Sequence, residues 1–209
     1  MTPQVLSQTT KVKGPRNDLR VKVQRTSLLK AFVAQAMLFT AFSLGVAWWR
    51  GWIEDLGLSF RGYASLVAGL AAGAAMGTIS IACDIMGLKS RAAEEISLAL
   101  SPIDILLVNF MLIAPSEEIL FRGLLVPRLG LIPSSIAFGL VHVVGYRAWG
   151  EVVVATLFGL LLGWIFLRTG SLLGPWVAHA LSNIISMNYL HRRKSRFPGL
   201  VSMPPSKRK

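Results

Sequence analysis

Long apolar runs separated by short polar stretches dominate the chain. A transmembrane helix needs about twenty mostly apolar residues, and this criterion predicts six spans at residues 31–49, 64–83, 102–121, 132–146, 151–168 and 171–190. Pro115 lies in the third span and Pro133 interrupts the fourth, so we expect kinked helices at these two places. The pattern predicts an all-α fold, a polytopic transmembrane helical bundle of about six spans.

Glycines recur at four-residue spacing in two of these spans. Gly69, Gly73 and Gly77 lie in the second span, and Gly159 and Gly163 lie in the fifth. Residues four apart share one face of a helix, where small residues let two backbones approach closely. We therefore expect close helix packing at both places.

The tryptophans fall into two groups. Four of them lie at predicted span ends, where amphipathic rings favour the membrane interface: Trp48, Trp49, Trp52 and Trp149. Trp164 and Trp176 lie deeper, and we expect them to pack inside the bundle.

Basic charge is concentrated at the two ends of the chain. The sequence has 22 Lys and Arg against 10 Asp and Glu, a formal net charge of +12, and is 53% hydrophobic. Seven of the basic residues lie in residues 1–30, and another seven follow Tyr189. Basic arms can bind nucleic acid, but these flank apolar spans, where Lys and Arg set topology and contact anionic lipid. We predict a lipid bilayer as partner and no nucleic acid.

This charge pattern predicts three parts of the chain. They are a basic cytoplasmic N-terminal arm 1–30, a transmembrane helical domain 31–190 with its motif core at 100–190, and a basic cytoplasmic tail 191–209. Six spans bring both termini to one side, and the basic arms place that side in the cytoplasm. Cys83 is interpreted as a small buried hydrophobe, and His191 as a surface residue of the tail.

Ionisable and polar residues inside the apolar segments are the candidates for function. A charged side chain at the centre of a membrane costs at least ~2.5 kcal/mol. The set comes from the third, fourth and sixth spans and comprises Glu117, Glu118, Arg122, His142, His179 and Asn183. We predict that they share one polar site. The rival interpretation is that both glutamates are solvated acids at the mouth of a helix. It fits Glu118 better than Glu117, which has apolar residues on both sides.

Spacing within each segment indicates which side chains meet. Glu118 and Arg122 are four residues apart, so they can pair on one helix face, whereas Glu117 is rotated by about 100° and stays available. His179 and Asn183 are also four apart. His142 follows Phe138 by four residues, so its ring is expected against the same face as Phe138.

These residue types can support peptide hydrolysis. A carboxylate with an imidazole can deprotonate a water, and a second imidazole with an amide can donate to the oxyanion that forms at a carbonyl. Glu117 with His142 and His179 could equally ligate zinc with an open fourth position. The chain has no HExxH motif, so the zinc alternative rests on residue types alone.

Three motifs together resemble a known family. EEILFR, FGLVH and HALSN, at residues 117–122, 138–142 and 179–183, resemble the EExxxR, FxxxH and HxxxN/D motifs of the CPBP intramembrane proteases. This superfamily contains the type II CAAX prenyl endopeptidases and the bacterial bacteriocin-immunity (Abi) proteins. The resemblance covers about residues 100–190 and implies a helical membrane fold whose catalytic groups line a cavity inside the bilayer.

The resemblance also implies roles for the residues that match the motifs. Glu117 and His142 would activate the water, His179 and Asn183 would stabilise the oxyanion, and the supporting residues would be Glu118, Arg122 and Phe138. The family has been described both as metalloproteases and as glutamate-dependent enzymes. We favour the glutamate mechanism without a cofactor, because Asn183 is a poor zinc ligand and a good oxyanion donor.

The expected substrate is a membrane-associated or lipid-anchored protein or peptide. Prenyl-peptidase activity does not follow, because family members differ in substrate. The short chain indicates a bacterial member of the family, and we expect it in the inner membrane. The oligomeric state stays open. Two rival functions remain. Buried Glu, Arg and His also mark transporters and proton relays, and a non-catalytic bacteriocin-immunity protein could keep the motifs without turnover.

Overall fold

The computed structural model describes residues 15–59, 62–88, 91–146 and 149–196. Within these ranges the chain forms seven helices and no strand. They are α1 (Pro15–Arg50), α2 (Gly62–Ile85), α3 (Arg91–Ala99), α4 (Pro102–Leu129), α5 (Leu131–Tyr146), α6 (Trp149–Thr169) and α7 (Leu173–Arg196). Residues 1–14 of the predicted N-terminal arm and 197–209 of the predicted tail lie outside the described residues.

The predicted all-α fold is confirmed; five of the six predicted spans lie wholly in a helix, and the sixth, 171–190, begins two residues before α7. Three segments are long and apolar enough to cross a membrane: Gln24–Arg50 of α1, α2 and α6. A fourth crossing results if α3 and α4 are one broken span. The apolar part of α5, Leu131–Val143, is shorter. The count of six spans therefore stays a prediction, while the integral membrane character follows from the apolar helices.

The chain bends by 111° between α3 and α4. Ser101 and Asp104 form a capping box: the Ser101 hydroxyl accepts from the Asp104 N–H at 3.2 Å, and the Asp104 carboxylate accepts from the Ser101 N–H at 2.9 Å. Pro102 follows the cap at the first helical position, where its missing N–H is not needed. The local sequence thus ends one helix and starts the next, and α3 lies between the second and third predicted spans.

Pro115 and Pro133, where kinks were expected, do not end a helix. Pro115 lies inside α4, two residues after the end of a π-helical turn at Asn109–Ile113. A wider turn suits the position, because proline lacks an N–H and its ring crowds the preceding turn. Pro133 is in the first turn of α5, where proline is tolerated. The predicted interruption at Pro133 is therefore wrong.

The glycine faces pack closely, as predicted. A Cβ added to Gly69 would lie 2.5 Å from the carbonyl oxygen of Gly174, and one added to Gly73 would lie 2.9 Å from that of Ala178. These distances join the backbones of α2 and α7. On α6, a Cβ at Gly163 would lie 2.5 Å from a side-chain carbon of Leu131 on α5.

Ion pairs tie the helices together at one end of the bundle. Arg25 near the start of α1 pairs with Asp104 at the start of α4, at 2.7 Å. Arg193 near the end of α7 pairs with Asp84 at the end of α2, at 2.6 Å. At the opposite end, the segment between α1 and α2 accepts a backbone hydrogen bond from the start of α7. The start of α1 and the end of α7 thus lie at the same end of the bundle.

Two predictions about ring positions are corrected. Trp176 packs inside, as expected, and its indole N–H donates to the Phe110 carbonyl at 2.8 Å. Trp164 is 49% exposed, because it lies on the outward face of α6. His191 is half-buried rather than on the surface, because α7 continues past the predicted span and packs on α3. Its Nδ1 donates to the Ser97 carbonyl at 2.9 Å.

We expect Gly69→Ala to lower the free energy of unfolding by about 1–3 kcal/mol, because the new methyl group clashes with rigid backbone. Thermal unfolding in detergent measures the effect. Gly45→Ala on α1 is the control, since no atom lies within 4 Å of its added Cβ. That control should be neutral or more stable by up to ~1 kcal/mol. Equal melting temperatures for both variants would contradict the close packing.

Candidate active site

One cavity of about 450 Å³ brings the predicted residues together. Glu117 from α4, His142 from α5, and His179 and Asn183 from α7 all line it. The three motifs, separated in sequence, therefore meet in space. The catalytic roles of these residues stay predictions at this point.

The two adjacent glutamates face different spaces. Glu117 is 8% exposed and lines the large cavity. Glu118 is fully buried and lines a second cavity of about 140 Å³, together with Pro115 and Trp176. Rotation of about 100° between successive helical residues accounts for the difference. The interpretation of Glu118 as a solvated acid at a helix mouth is wrong.

Glu118 and Arg122 form a buried ion pair, as their four-residue spacing predicts. Arg122 Nη1 donates to Glu118 Oε1 at 2.9 Å, and Arg122 is only 1% exposed. Its guanidinium carbon lies 4.2 Å from the centroid of the Phe138 ring, and Nη2 donates to the Gly159 carbonyl at 3.4 Å. The charge of Arg122 is thus met by a carboxylate, an aromatic face and a carbonyl.

His179 lies between both glutamates. Its Nδ1 is 2.7 Å from Glu118 Oε1, and its Nε2 is 3.8 Å from Glu117 Oε2. A carboxylate paired with an arginine can only accept, so Nδ1 donates and carries a hydrogen. This contact joins α7 to α4 across 61 residues of sequence, and spacing within one helix could not predict it.

His142 has a different partner. Its Nδ1 donates to the Phe138 carbonyl at 2.8 Å, since a carbonyl oxygen only accepts. In a neutral imidazole, a hydrogen on Nδ1 leaves the lone pair on Nε2. Phe138 packs edge-on against both rings, with centroids 5.0 Å from His142 and 5.7 Å from His179. Phe138 therefore supports both histidines and Arg122.

Sequence reasoning missed Asn109, which binds Asn183. Asn183 Nδ2 donates to Asn109 Oδ1 at 3.0 Å, and Asn109 Nδ2 donates to the Ile105 carbonyl at 2.8 Å. Asn109 is buried at the first position of the π-helical turn in α4. An amide inside the apolar run 102–121 was the available signal. This bond uses one of the two amide hydrogens of Asn183 and fixes the orientation of its side chain.

Gln35 on α1 was also missed. Its Nε2 donates to Glu117 Oε1 at 2.8 Å, and the residue lines the large cavity. The other oxygen, Glu117 Oε2, is buried and has no hydrogen-bond partner among the described residues. A glutamine inside the first apolar span was the signal, but the three motifs drew attention to other segments.

The arrangement does not fit a zinc site. Among the described residues, no group of three or more His, Cys, Asp and Glu side chains is placed to hold a metal ion. The set considered from sequence, Glu117, His142 and His179, is therefore not grouped for a metal in this structure. The expectation that no cofactor is needed stays a prediction.

Comparisons with known proteins agree with the motifs. Residues 99–185 match the family model described as type II CAAX prenyl endopeptidase Rce1-like, which confirms the resemblance. All three motifs lie in the matched residues.

One curated relative aligns with part of the chain. The uncharacterized protein YpbD of Bacillus subtilis (strain 168) is 32% identical over 89 residues. The alignment covers 41% of this chain and 47% of YpbD, so the chain spans about half the length of this relative. No solved structure matches the chain.

We expect Arg122→Met to destabilise the protein by about 3–5 kcal/mol, because it leaves the buried charge of Glu118 without its cation. The double variant Glu118→Gln with Arg122→Met removes both charges and should be more stable than Arg122→Met alone. Unfolding in detergent measures both. A double variant as unstable as the sum of the single variants would contradict the pairing.

Proposed function

We propose that the protein is an intramembrane endopeptidase that hydrolyses peptide bonds of membrane-associated or lipid-anchored proteins with an activated water. The family match over residues 99–185 and the cavity among apolar helices support this proposal. The observation that carries the mechanism is the difference between the hydrogen-bond partners of the two histidines.

His142 is suited to activate the water together with Glu117. The Phe138 carbonyl accepts its Nδ1 hydrogen, so Nε2 is the ring nitrogen that would accept a hydrogen bond from the water. Glu117 Oε2 is the second acceptor at this cavity and has no hydrogen-bond partner among the residues described. A water held between these two groups would lose a proton to Glu117 as it attacks.

His179 is suited to act as a donor. The Glu118 carboxylate accepts its Nδ1 hydrogen, and Oε2 of Glu117 lies 3.8 Å from its Nε2. With a hydrogen on both ring nitrogens, the Nε2–H of His179 and the remaining amide hydrogen of Asn183 would stabilise the oxyanion.

The reaction then proceeds in two steps. The water oxygen bonds to the carbonyl carbon, the carbonyl π electrons move to oxygen, and Glu117 takes the proton. The oxyanion then re-forms the carbonyl, the C–N bond breaks, and the proton on Glu117 passes to the leaving nitrogen. Water is consumed, and the products are a carboxylic acid and an amine.

Access and orientation follow from the cavity lining. Leu88, Ala93 and Gly150 line the cavity and belong to the end of the bundle where α1 starts and α7 ends. We assign this end to the cytoplasm, because the basic arms adjoin it. A bacterial inner-membrane protein with both termini in the cytoplasm is the topology that we propose.

A proton relay is the second candidate function, and one observation favours it. The series Glu117, His179 and Glu118 connects the large cavity to the second cavity on the other side of α4. Such a series could pass protons without hydrolysis. Proton flux in proteoliposomes without any peptide cleavage would favour the relay. The absence of cleavage would also fit a non-catalytic protein that keeps the motifs.

Cleavage of a membrane-anchored peptide by the purified protein tests the peptidase. We expect Glu117→Gln and His142→Ala to lower the rate at least ~10²-fold, because the first removes the base that takes the water proton and the second removes the hydrogen-bond acceptor that orients the water. Cys83→Ala is the matched control, since Cys83 borders the cavity without a role in the proposed steps. Unchanged cleavage by Glu117→Gln would overturn the mechanism.

Chelator treatment separates the two mechanisms considered from sequence. We expect cleavage to resist chelation and the purified protein to bind no stoichiometric zinc by elemental analysis. Loss of cleavage on chelation, with recovery on adding zinc back, would show that a metal takes part.

The oxyanion role has its own test. We expect Asn183→Leu to lower kcat by about 10²–10³-fold, as when one oxyanion donor is removed, with a smaller change in KM. Steady-state kinetics measures the split. A change confined to KM would assign Asn183 to substrate binding instead.

A further inference from the structure

We propose that Gln35 on α1 is a positioning residue that holds Glu117 in its base form and aims the free carboxylate oxygen at the water. This inference rests on the proposed function and deepens it. It is carried by the hydrogen bond from Gln35 Nε2 to Glu117 Oε1 at 2.8 Å, which crosses 82 residues of sequence.

The chemistry of the bond favours the ionised carboxylate. An ionised carboxylate is only an acceptor, and the amide nitrogen of Gln35 is only a donor. The bond to Oε1 is therefore strongest when Glu117 carries its charge, and hydrogen bonds to charged groups are the stronger class. A general base must be ionised before it can take a proton from water. Gln35 thus favours the reactive form.

The two carboxylate oxygens of Glu117 have different surroundings. Gln35 occupies Oε1, while Oε2 has no hydrogen-bond partner among the described residues and lies 3.8 Å from His179 Nε2. Rotation of the carboxylate would break the bond at Oε1. The bond therefore keeps Oε2 in a fixed direction beside the cavity.

Packing between α1 and α4 holds Gln35 in register. Phe39 lies one turn after Gln35, and Phe121 lies one turn after Glu117; their ring centroids are 6.4 Å apart in an edge-on contact. The two helices thus touch at two successive turns, once through a hydrogen bond and once through aromatic rings. Arg25 pairs with Asp104 nearer the starts of the same two helices.

Gln35 lies outside the residues that match the family model. That match begins at residue 99, whereas α1 ends at Arg50. A segment beyond the matched region therefore contributes to the site. Glu117 also has charged neighbours, namely His179 from α7 and Glu118 and Arg122 from its own helix, with His142 from α5 on the same cavity. Gln35 differs from all of these because it does not titrate.

The test compares wild type with Gln35→Met, which keeps the length of the side chain and removes the donor. We expect kcat for a membrane-anchored peptide to fall about 10- to 100-fold, the range for a lost hydrogen bond to a charged group. KM should change less than about twofold, since Gln35 acts on the base rather than on the substrate. The acid limb of the pH–rate profile should move to higher pH. An unchanged kcat and an unchanged acid limb would overturn the proposal.

Gln35→Glu keeps the shape and makes the donor depend on protonation. When the pair of carboxyl groups shares one proton, residue 35 can still donate; when both are ionised, they repel. We expect kcat of Gln35→Glu to exceed that of Gln35→Met in acidic buffer and to fall below it in alkaline buffer. Parallel profiles for the two variants would show that only packing of α1 matters and would overturn the proposal.

Ser43→Ala is the control on the same helix. Ser43 is buried, and its hydroxyl donates to the Phe39 carbonyl of α1 itself. This variant should keep the kcat and the pH profile of wild type. Full activity of Gln35→Met beside an inactive Glu117→Gln would refute the positioning role and leave the peptidase intact. Full activity of both would refute the peptidase mechanism itself.

Discussion

The buried pair of Glu118 and Arg122 is the interaction on which the arrangement of the site depends. Neither charge is stable alone in an apolar interior, so each requires its partner and further polar contacts. Arg122 reaches the aromatic ring of Phe138 on α5 and a backbone carbonyl of α6, and Glu118 accepts from His179 on α7. One ion pair on α4 thereby fixes three neighbouring helices relative to the glutamate that faces the cavity.

Small residues make this network possible. A side chain at Gly159 would meet Ser135 on α5 at 3.1 Å, so the glycine lets the helices approach closely enough for Arg122 to reach its carbonyl. Without water in the apolar interior, polar groups must find protein partners, and close backbones supply them. The polar contacts around the cavity and the close packing of the helices therefore both follow from the lack of water in the apolar interior.

The sequence was informative wherever the interaction lies within one helix. Apolar runs located every long helix, the four-residue spacing predicted the pair of Glu118 and Arg122, and the repeated glycines predicted close packing. Contacts between helices were beyond such reasoning. The bonds of Gln35 to Glu117 and of Asn109 to Asn183 join residues 82 and 74 positions apart, and no spacing rule connects them. The prediction that Trp164 packs inside was wrong, because the position of a residue along a helix does not indicate which face of the helix it occupies.

The glycine face between α2 and α7 has a mechanical consequence. The backbones of α2 and α7 are in close contact at Gly69 and Gly73, on two successive turns, and the Cβ of Leu181 also lies against Gly73. Sliding of α2 along α7 would drive carbonyl groups into one another before any new register formed. We therefore expect α2 and α7 to move as one unit, so that a peptide entering the cavity would displace other helices that line it, such as α1 and α5.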